Sequence, residues 1–192
     1  METYKDIPVM SFASQQHWQE WLKKNYELQS GIWLKIAKKG TGIASVNHAL
    51  ALDIALCWGW IDGQAKSLDD VYYLQKFTPR RPRSIWSKVN VAKVEGFIAD
   101  GSMQAPGLAA IEAAKADGRW DAAYESPKNM TMQPDFAEAL EQNPKAKAFF
   151  ETLNKTNRYA VLWRAATPKT PAGRAQRIQT LVAMLEAGKV FH

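Results

Sequence analysis

The sequence is poor in the residues that metal centres and nucleophilic enzymes require. Of its 192 residues one is cysteine, Cys57, and three are histidine. A single cysteine excludes an internal disulfide and is typical of a reducing compartment. So few histidines, without clustered carboxylates, give no metal-ligand pattern, and we expect no metal and no cofactor. His48 and Cys57 fall on opposite faces of one predicted helix and cannot form a nucleophile–base pair, so no catalytic residue is predicted.

The chain also lacks long hydrophobic runs. No window approaches the roughly 18 apolar residues of a membrane span, and residues 1–10 hold no apolar stretch of the roughly 7–15 residues found in secretory signals. We therefore expect a cytoplasmic protein without a transmembrane segment. Its 192 residues, with 46% hydrophobic and 23% charged side chains, allow one good core, or one core with a helical appendage.

Acidic residues are missing from two stretches that are rich in bases. Residues 71–94 carry six bases and no acid: Lys76, Arg80, Arg81, Arg83, Lys88 and Lys93. Residues 152–185 carry six more: Lys155, Arg158, Arg164, Lys169, Arg174 and Arg177. The rest of the chain holds 25 − 12 = 13 bases against 19 acids, although the net charge is +6. Either the two stretches are unrelated solvated faces, or they converge on one face that binds something anionic.

Hydrophobic periodicity predicts an α+β fold, with a small antiparallel sheet of about three strands packed by helices and then a helical C-terminal region. Strands are predicted over residues 31–38, 61–68 and 71–78, because apolar and polar side chains alternate there. Hydroxyl side chains before apolar-periodic segments predict the helix caps. These predicted caps are Ser14, Ser45, Ser84, Thr156 and Thr170.

The distribution of loops predicts the domain organisation. An α+β domain is expected over residues 1–124 and a helical region packed on it over residues 135–192. Residues 125–134 contain two prolines and few apolar side chains and are predicted to be the linker. A single domain spanning the whole chain remains the alternative.

The segment Trp58–Gly63, with the sequence WGWIDG, joins a predicted helix to a predicted strand. Gly59 gives a helix stop, and Asp62 with the glycine after it favours a tight turn or a bulge. Two interpretations remain open. In one, Asp62 accepts backbone N–H groups and Trp60 fills the core. In the other, Asp62 pairs with an arginine of the basic stretch and orients it.

Residues 77–90, with the sequence FTPRRPRSIWSKVN, carry three arginines just before a predicted helix: Arg80, Arg81 and Arg83. That helix is predicted over residues 85–99 with Ser84 as its cap. A helix start carries about half a positive charge, and arginine forks bind carboxylate or phosphate bidentately. The corner, with the hydroxyls of Ser84 and Ser87, therefore predicts an anion site. Alternatively, Ser84 is only a cap and the arginines are solvated.

The order of these segments resembles the YdeI/OmpD-associated family, also called the bacteriocin-protection family. The resemblance runs over nearly the whole chain and is carried by FASQQHWQEWL at Phe12, GIWLKIAKKG at Gly31, ALCWGWIDG ending at Gly63, FTPRRPRSIWSKVN at Phe77 and GRAQRI at Gly173. The chain departs from the family pattern in two places. The helix before GWIDG is less acidic, and PAGRAQRI lacks an acidic residue while keeping Arg174 and Arg177.

The resemblance implies a site but no assigned biochemistry. The family is linked to envelope stress, antimicrobial-peptide resistance and a porin. The positions that match its motifs and look functional are Trp60, Asp62, Arg80, Arg81, Ser84, Trp86, Ser87 and Asn90, to which the basic corner adds Arg83.

The sequence is therefore compatible with three functional hypotheses from different classes. The first is a binding module whose basic face holds an anionic small molecule or an acidic protein surface. The second is nucleic-acid binding, favoured by a sequence pI of about 9.4 and by mixed arginines and aromatics. The third is an enzyme with a site at Asp62 and Arg80, which has the least support because no acid–base pair is visible. The sequence leaves the oligomeric state undetermined.

Overall fold

The computed structural model describes residues 2–126, 128–168 and 170–191. The chain divides into two compact units, Met1–Ala123 and Tyr124–His192, called unit 1 and unit 2 below. Each unit has a hydrophobic core drawn from its own residues. The predicted linker role of residues 125–134 stays a prediction.

Unit 1 is built on a mixed sheet with the strand order β1-β2-β3-β5-β4. Strand β2 pairs with β3 in parallel, and the other neighbouring strands pair antiparallel. The α+β class is confirmed, whereas the expectation of about three strands in a purely antiparallel sheet is wrong. Within the described residues the strands are β1 (Thr3–Tyr4), β2 (Ile7–Met10), β3 (Ile32–Ala37), β4 (Trp60–Ser67) and β5 (Tyr72–Pro79).

The two missed strands explain the error in the sheet. β1 has two residues and β2 four, too few for an alternation of apolar and polar side chains to be read. β2 is a strand because its backbone pairs with a distant segment, with Val9 opposite Trp33 and Met10 opposite Leu34. Such a tertiary pairing leaves no local signal.

Helices of unit 1 cover one face of this sheet. They share an aromatic core with the strands, in which Trp18, Trp60, Phe77 and Trp86 are at most 1% exposed. The indole of Trp18 donates to the carbonyl of Ala51 at 3.0 Å and ties the first helix to the second. The helices of unit 1 are α1 (Gln15–Asn25), α2 (His48–Cys57), α3 (Lys88–Ala99) and α4 (Ala105–Ala116).

Helices α2 and α4 meet backbone to backbone. A Cβ on Gly107 would lie 2.2 Å from the carbonyl oxygen of Cys57, and a Cβ on Gly59 would lie 2.7 Å from that of Pro106. Gly59 also has a φ of +73°, which favours glycine and ends α2. The absence of side chains at these two positions therefore sets how closely the helices approach.

Two of the predicted caps in unit 1 are wrong. Asn47, not Ser45, caps α2 and accepts from the N–H of Leu50. Ser87, not Ser84, caps α3 and accepts from the N–H of Asn90 at 3.2 Å. Ser14 caps α1 as predicted.

Unit 2 consists of helices in the described residues. Phe136, Phe150, Leu181 and Leu185 are at most 2% exposed in its core. Thr170 caps the last helix as predicted, whereas Asn154 rather than Thr156 caps the one before it. These helices are α5 (Pro134–Glu141), α6 (Pro144–Thr152), α7 (Lys155–Ala166) and α8 (Pro171–Glu186).

Candidate functional site

The corner between β5 and α3 is a loop rather than a helix start. Because α3 begins three residues later than expected, Ser84 and the arginines before it do not stand at a helix N-terminus. The N–H of Ser84 donates to the carbonyl of Arg81 at 2.8 Å and closes a tight turn. Pro82 occupies the position of such turns that favours proline, since its φ is preset. The turn leaves Arg81 and Arg83 exposed on either side of Pro82.

A buried arginine that the sequence reading missed holds this turn in place. Arg119, 6% exposed, donates to the carbonyl of Ser84 at 2.8 Å. Its Nε donates to the carboxylate of Asp117 at 2.7 Å, which fixes the guanidinium. The positive charge of Arg119 therefore serves to anchor the loop.

Arg80 differs from its two neighbours. Its guanidinium carbon lies 3.5 Å from the centroid of the Trp86 ring, and Nη1 donates to the carbonyl of Ile85 at 3.2 Å. Trp86 is 1% exposed and packs edge-on against Trp120 with centroids 5.2 Å apart. Arg80 thus bridges the strand end and the core, and Trp86 offers no surface to a ligand.

Beside the turn lies an open groove of about 860 Å³. Its floor comes from β4 and β5, including Ile61 and Thr78, and the turn forms one wall. The described residues that line it include three cations and no carboxylate. Hydroxyl and amide groups from Thr78, Ser84 and Gln64 accompany them. The three cations are Lys76, Arg81 and Arg83.

A bulge in the edge strand shapes this groove. The pairing of β4 with β5 shifts between Asp62 and Ala65, so Gly63 and Gln64 stand outside the ladder. The buried amide of Gln75 donates to the carbonyl of Gly63 at 2.9 Å and satisfies the freed backbone. Of the tight turn and the bulge that the sequence allowed after Asp62, the structure has the bulge, and its two residues line the groove.

Asp62 lies on the other face of the sheet from the groove cations. It pairs in register with Phe77, which is buried under the helices, and paired residues of antiparallel strands point to the same face. Lys76 and Thr78, on either side of Phe77, point to the opposite face. The recorded partner of Asp62 is His48, whose Nε2 donates to Oδ2 at 3.0 Å. This partner was not foreseen, and the predicted role of orienting an arginine stays a prediction.

The remaining predicted site residues stabilise the fold. Trp60 is fully buried, and its indole donates to the carbonyl of Tyr26 at 2.7 Å. Ser87 and Asn90 meet through the cap of α3. Of the nine predicted positions, those lining the groove are Arg81, Arg83 and Ser84.

Cys57 lies in the core, as expected of an apolar cysteine. It is 8% exposed, and burial, as the largest cause, raises the pKa of its thiol to about 11. Among the described residues no three metal-ligating side chains of the His, Cys, Asp and Glu types come together. Nor does any helix in the described part of the chain have the length and apolarity to cross a membrane.

The second basic stretch belongs to unit 2. Arg174 is bonded to Asp135, donating from Nη2 to Oδ1 at 2.7 Å, and this hydrogen bond holds the pKa of Asp135 below its usual value. Arg174 thus has a carboxylate partner 39 residues away in sequence, although PAGRAQRI itself contains no acidic residue. Lys169 lies outside the described residues. Convergence of the two basic stretches on one face, one of the two interpretations of the sequence, stays a prediction.

Two parts of the chain match known families. Residues 10–110 match a family described as a domain of unknown function (DUF8412). Residues 129–188 match the family described as bacteriocin-protection, YdeI or OmpD-associated, which confirms the resemblance there. The GRAQRI motif lies in the second match, whereas the motifs from Gly31 to Asn90 lie in the first. No curated protein and no solved structure gives a significant match.

Proposed function

We propose, from the geometry of the groove, that unit 1 is a binding module for an anionic group. The chain belongs to the family described as a domain of unknown function (DUF8412), and that description assigns no chemistry. The groove between the arginine turn and the β4–β5 surface is the proposed site. A phosphate or a carboxylate is the chemistry that three cations with hydroxyl and amide donors recognise.

One observation carries the proposal. Arg81 and Arg83 flank a proline turn whose backbone is tied down by Arg119, and Lys76 lines the same groove. Holding like charges together is unfavourable unless an anion joins them. A fixed turn also lowers the entropy lost on binding, because the loop is ordered before the ligand arrives.

Two further observations bear on where the protein acts and in which process. The single buried Cys57 supports a reducing, cytoplasmic location. The match over residues 129–188 supports a link to antimicrobial-peptide resistance or envelope stress, with unit 1 supplying the anion-binding step. An enzyme built on Asp62 gains little support, because Asp62 points away from the groove cations.

The proposal is tested by thermal unfolding with inorganic pyrophosphate and with citrate. We expect at least one of them to raise the Tm by several degrees, since a ligand at about 100 times its Kd adds roughly 2.7 kcal/mol of stability. The double substitution Arg81→Ala with Arg83→Ala should remove the shift and leave the unliganded Tm within about 2 °C, because both side chains are exposed.

The matched control is Lys23→Ala with Lys24→Ala, two exposed lysines in the last turn of α1. It removes the same charge from the helical side of unit 1 and should keep the full ligand shift. No shift with either anion in the wild-type protein, or an undiminished shift in the arginine double variant, would overturn the proposal.

A further inference from the structure

The sheet face opposite the helices carries lysines set among aromatic rings. On β5, Leu74 lies between Lys35 of β3 and Lys66 of β4 in register, and Lys76 lies opposite Trp33. By the same register all five side chains point to one face. Tyr4 and Tyr72 complete this surface, called the lysine–aromatic face below.

Each of these lysines is held at a ring. The ammonium of Lys35 lies 4.8 Å from the centroid of Tyr72, and that of Lys66 lies 4.2 Å from the centroid of Tyr4. Lys66 also donates to the hydroxyl of Tyr4 at 2.7 Å, a hydrogen bond that lowers the pKa of that phenol. A ring attracts an ammonium group without cancelling its charge. The lysines are thus positioned and remain cationic.

Two carboxylates of the described residues interact with Lys35: that of Glu2, 3.7 Å from its ammonium group, and that of Asp69. The cluster beneath the face, formed by Val9, Trp33 and Leu74, is drawn from strands. The surface therefore combines an apolar floor, half-buried rings and an excess of positive charge.

The lysine–aromatic face and the groove are continuous, because Lys76 belongs to both. Along β5 the distance from the Leu74 row to Pro79 at the groove is five residues, or about 17 Å at the rise of a strand. A single phosphate or citrate occupies only a fraction of that length. Charges spread along such a track suit a linear polyanion.

From this continuity we infer that unit 1 binds single-stranded nucleic acid along the lysine–aromatic face and into the groove, an inference that rests on the proposed anion-binding function. The phosphates bind the lysine ammonium groups and the groove arginines. The tyrosine rings are then no longer covered by the lysines and can stack with bases. At about 3.4 Å per stacked nucleotide, a track of about 17 Å holds roughly five nucleotides, near the lower end of the roughly 4–16 that one single-strand-binding OB fold covers. An acidic protein segment would satisfy the charges and leave the rings unused.

The test is fluorescence anisotropy with a fluorescein-labelled 15-nucleotide oligothymidine in about 50 mM salt, followed by a salt titration. We expect saturable binding that weakens steeply as salt rises. Lys35→Gln with Lys66→Gln should weaken binding at least tenfold and lower the slope of log K against log salt by about 1.4, since each phosphate contact in a single strand contributes about 0.7. Glutamine keeps most of each side-chain stem, and the near-ultraviolet circular dichroism of each variant checks its fold.

Two further double variants, each also removing two charges, make the result specific. Arg81→Ala with Arg83→Ala, in the groove, should weaken binding comparably, and Lys23→Ala with Lys24→Ala, on α1, by less than twofold. Equal weakening by the α1 pair and the face pair would show generic attraction and overturn the inference. Tighter binding to polyglutamate, to anionic phosphatidylglycerol vesicles or to a hairpin duplex would overturn it as well.

The inference and the proposed function fail separately. Stabilisation by pyrophosphate or citrate without binding of the oligonucleotide would overturn the inference and leave the groove as a small-anion site. Absence of both responses would remove both.

Discussion

Arg80 and Arg83, three positions apart in one basic run, differ in role: Arg80 makes contacts within the fold, whereas Arg83 is exposed. Arg80 lies over the buried Trp86 ring and donates to a backbone carbonyl of the loop. Arg83 is exposed at the groove. Composition cannot separate them, because the difference arises from where the loop turns. Counting a run of bases as one surface therefore overstates the charge offered to a ligand.

This distinction predicts that the two arginines differ in how much they contribute to stability. Arg80→Ala should lower the free energy of unfolding by about 1–3 kcal/mol, because it removes a stacked cation and a hydrogen bond. Arg80→Lys should recover little of that loss, since an ammonium group lacks the planar fork. Urea unfolding monitored by tryptophan fluorescence measures the effect. Arg83→Ala is the control and should stay within about 0.5 kcal/mol. Equal midpoints for Arg80→Ala and Arg83→Ala would contradict this assignment.

At Asp62 the local sequence predicts the backbone conformation but not the side-chain partner. The sequence WGWIDG predicts a tight turn or a bulge, because glycine in a strand weakens pairing, and the structure has the bulge. The partner of Asp62 could not be predicted the same way. The register with Phe77 turns Asp62 toward α2, where His48 lies, and register depends on the whole sheet. The arginine pairing considered from sequence rested on charge alone.

At the scale of elements, the start of α3 shows why local signals can be ambiguous. Ser84 and Ser87 both precede a helical pattern, and either is a good cap. The tertiary contacts decide between them, since Trp86 must enter the core and the carbonyl of Ser84 accepts from Arg119. A helix starting at Ile85 would withdraw that carbonyl into its own ladder. The basic corner is for this reason a fixed loop rather than a helix dipole site.

The two serines give a matched pair of substitutions. Ser87→Ala should cost about 1 kcal/mol of stability, because it removes the cap from the N–H of Asn90. Ser84→Ala should cost a few tenths of a kcal/mol, since its hydroxyl makes only a 3.5 Å contact with Arg80. The denaturant midpoints of the two variants measure these losses of stability. A larger loss for Ser84→Ala would contradict the assignment and favour the helix start at Ile85 that the sequence predicts.

At the scale of the whole molecule, the two family matches follow the two structural units. The match over residues 10–110 lies inside Met1–Ala123, and the match over residues 129–188 lies inside Tyr124–His192. The domain boundaries predicted from the sequence, at 124 and 135, stay a prediction. Each unit also has a hydrophobic core of its own.

We therefore expect the fragment 1–123 to fold without the rest of the chain. It contains the whole sheet and the aromatic core, and a core of that size supports an independent domain. The fragment 124–192, with 192 − 123 = 69 residues, should be marginal and melt broadly. Circular dichroism melts of both fragments test this. A fragment 1–123 without a cooperative melt would contradict it.

The position of Cys57 against α4 has a kinetic consequence. Its carbonyl accepts from the N–H of Gln104 at 3.1 Å, and Gly107 passes too close for any side chain to intervene. While the thiol is buried, its pKa is near 11, and on the order of one molecule in ten thousand carries a thiolate at pH 7. A thiol reagent should therefore react mainly while the structure around Cys57 is open. The rate at which a thiol reagent modifies this one cysteine would therefore report how often that opening occurs.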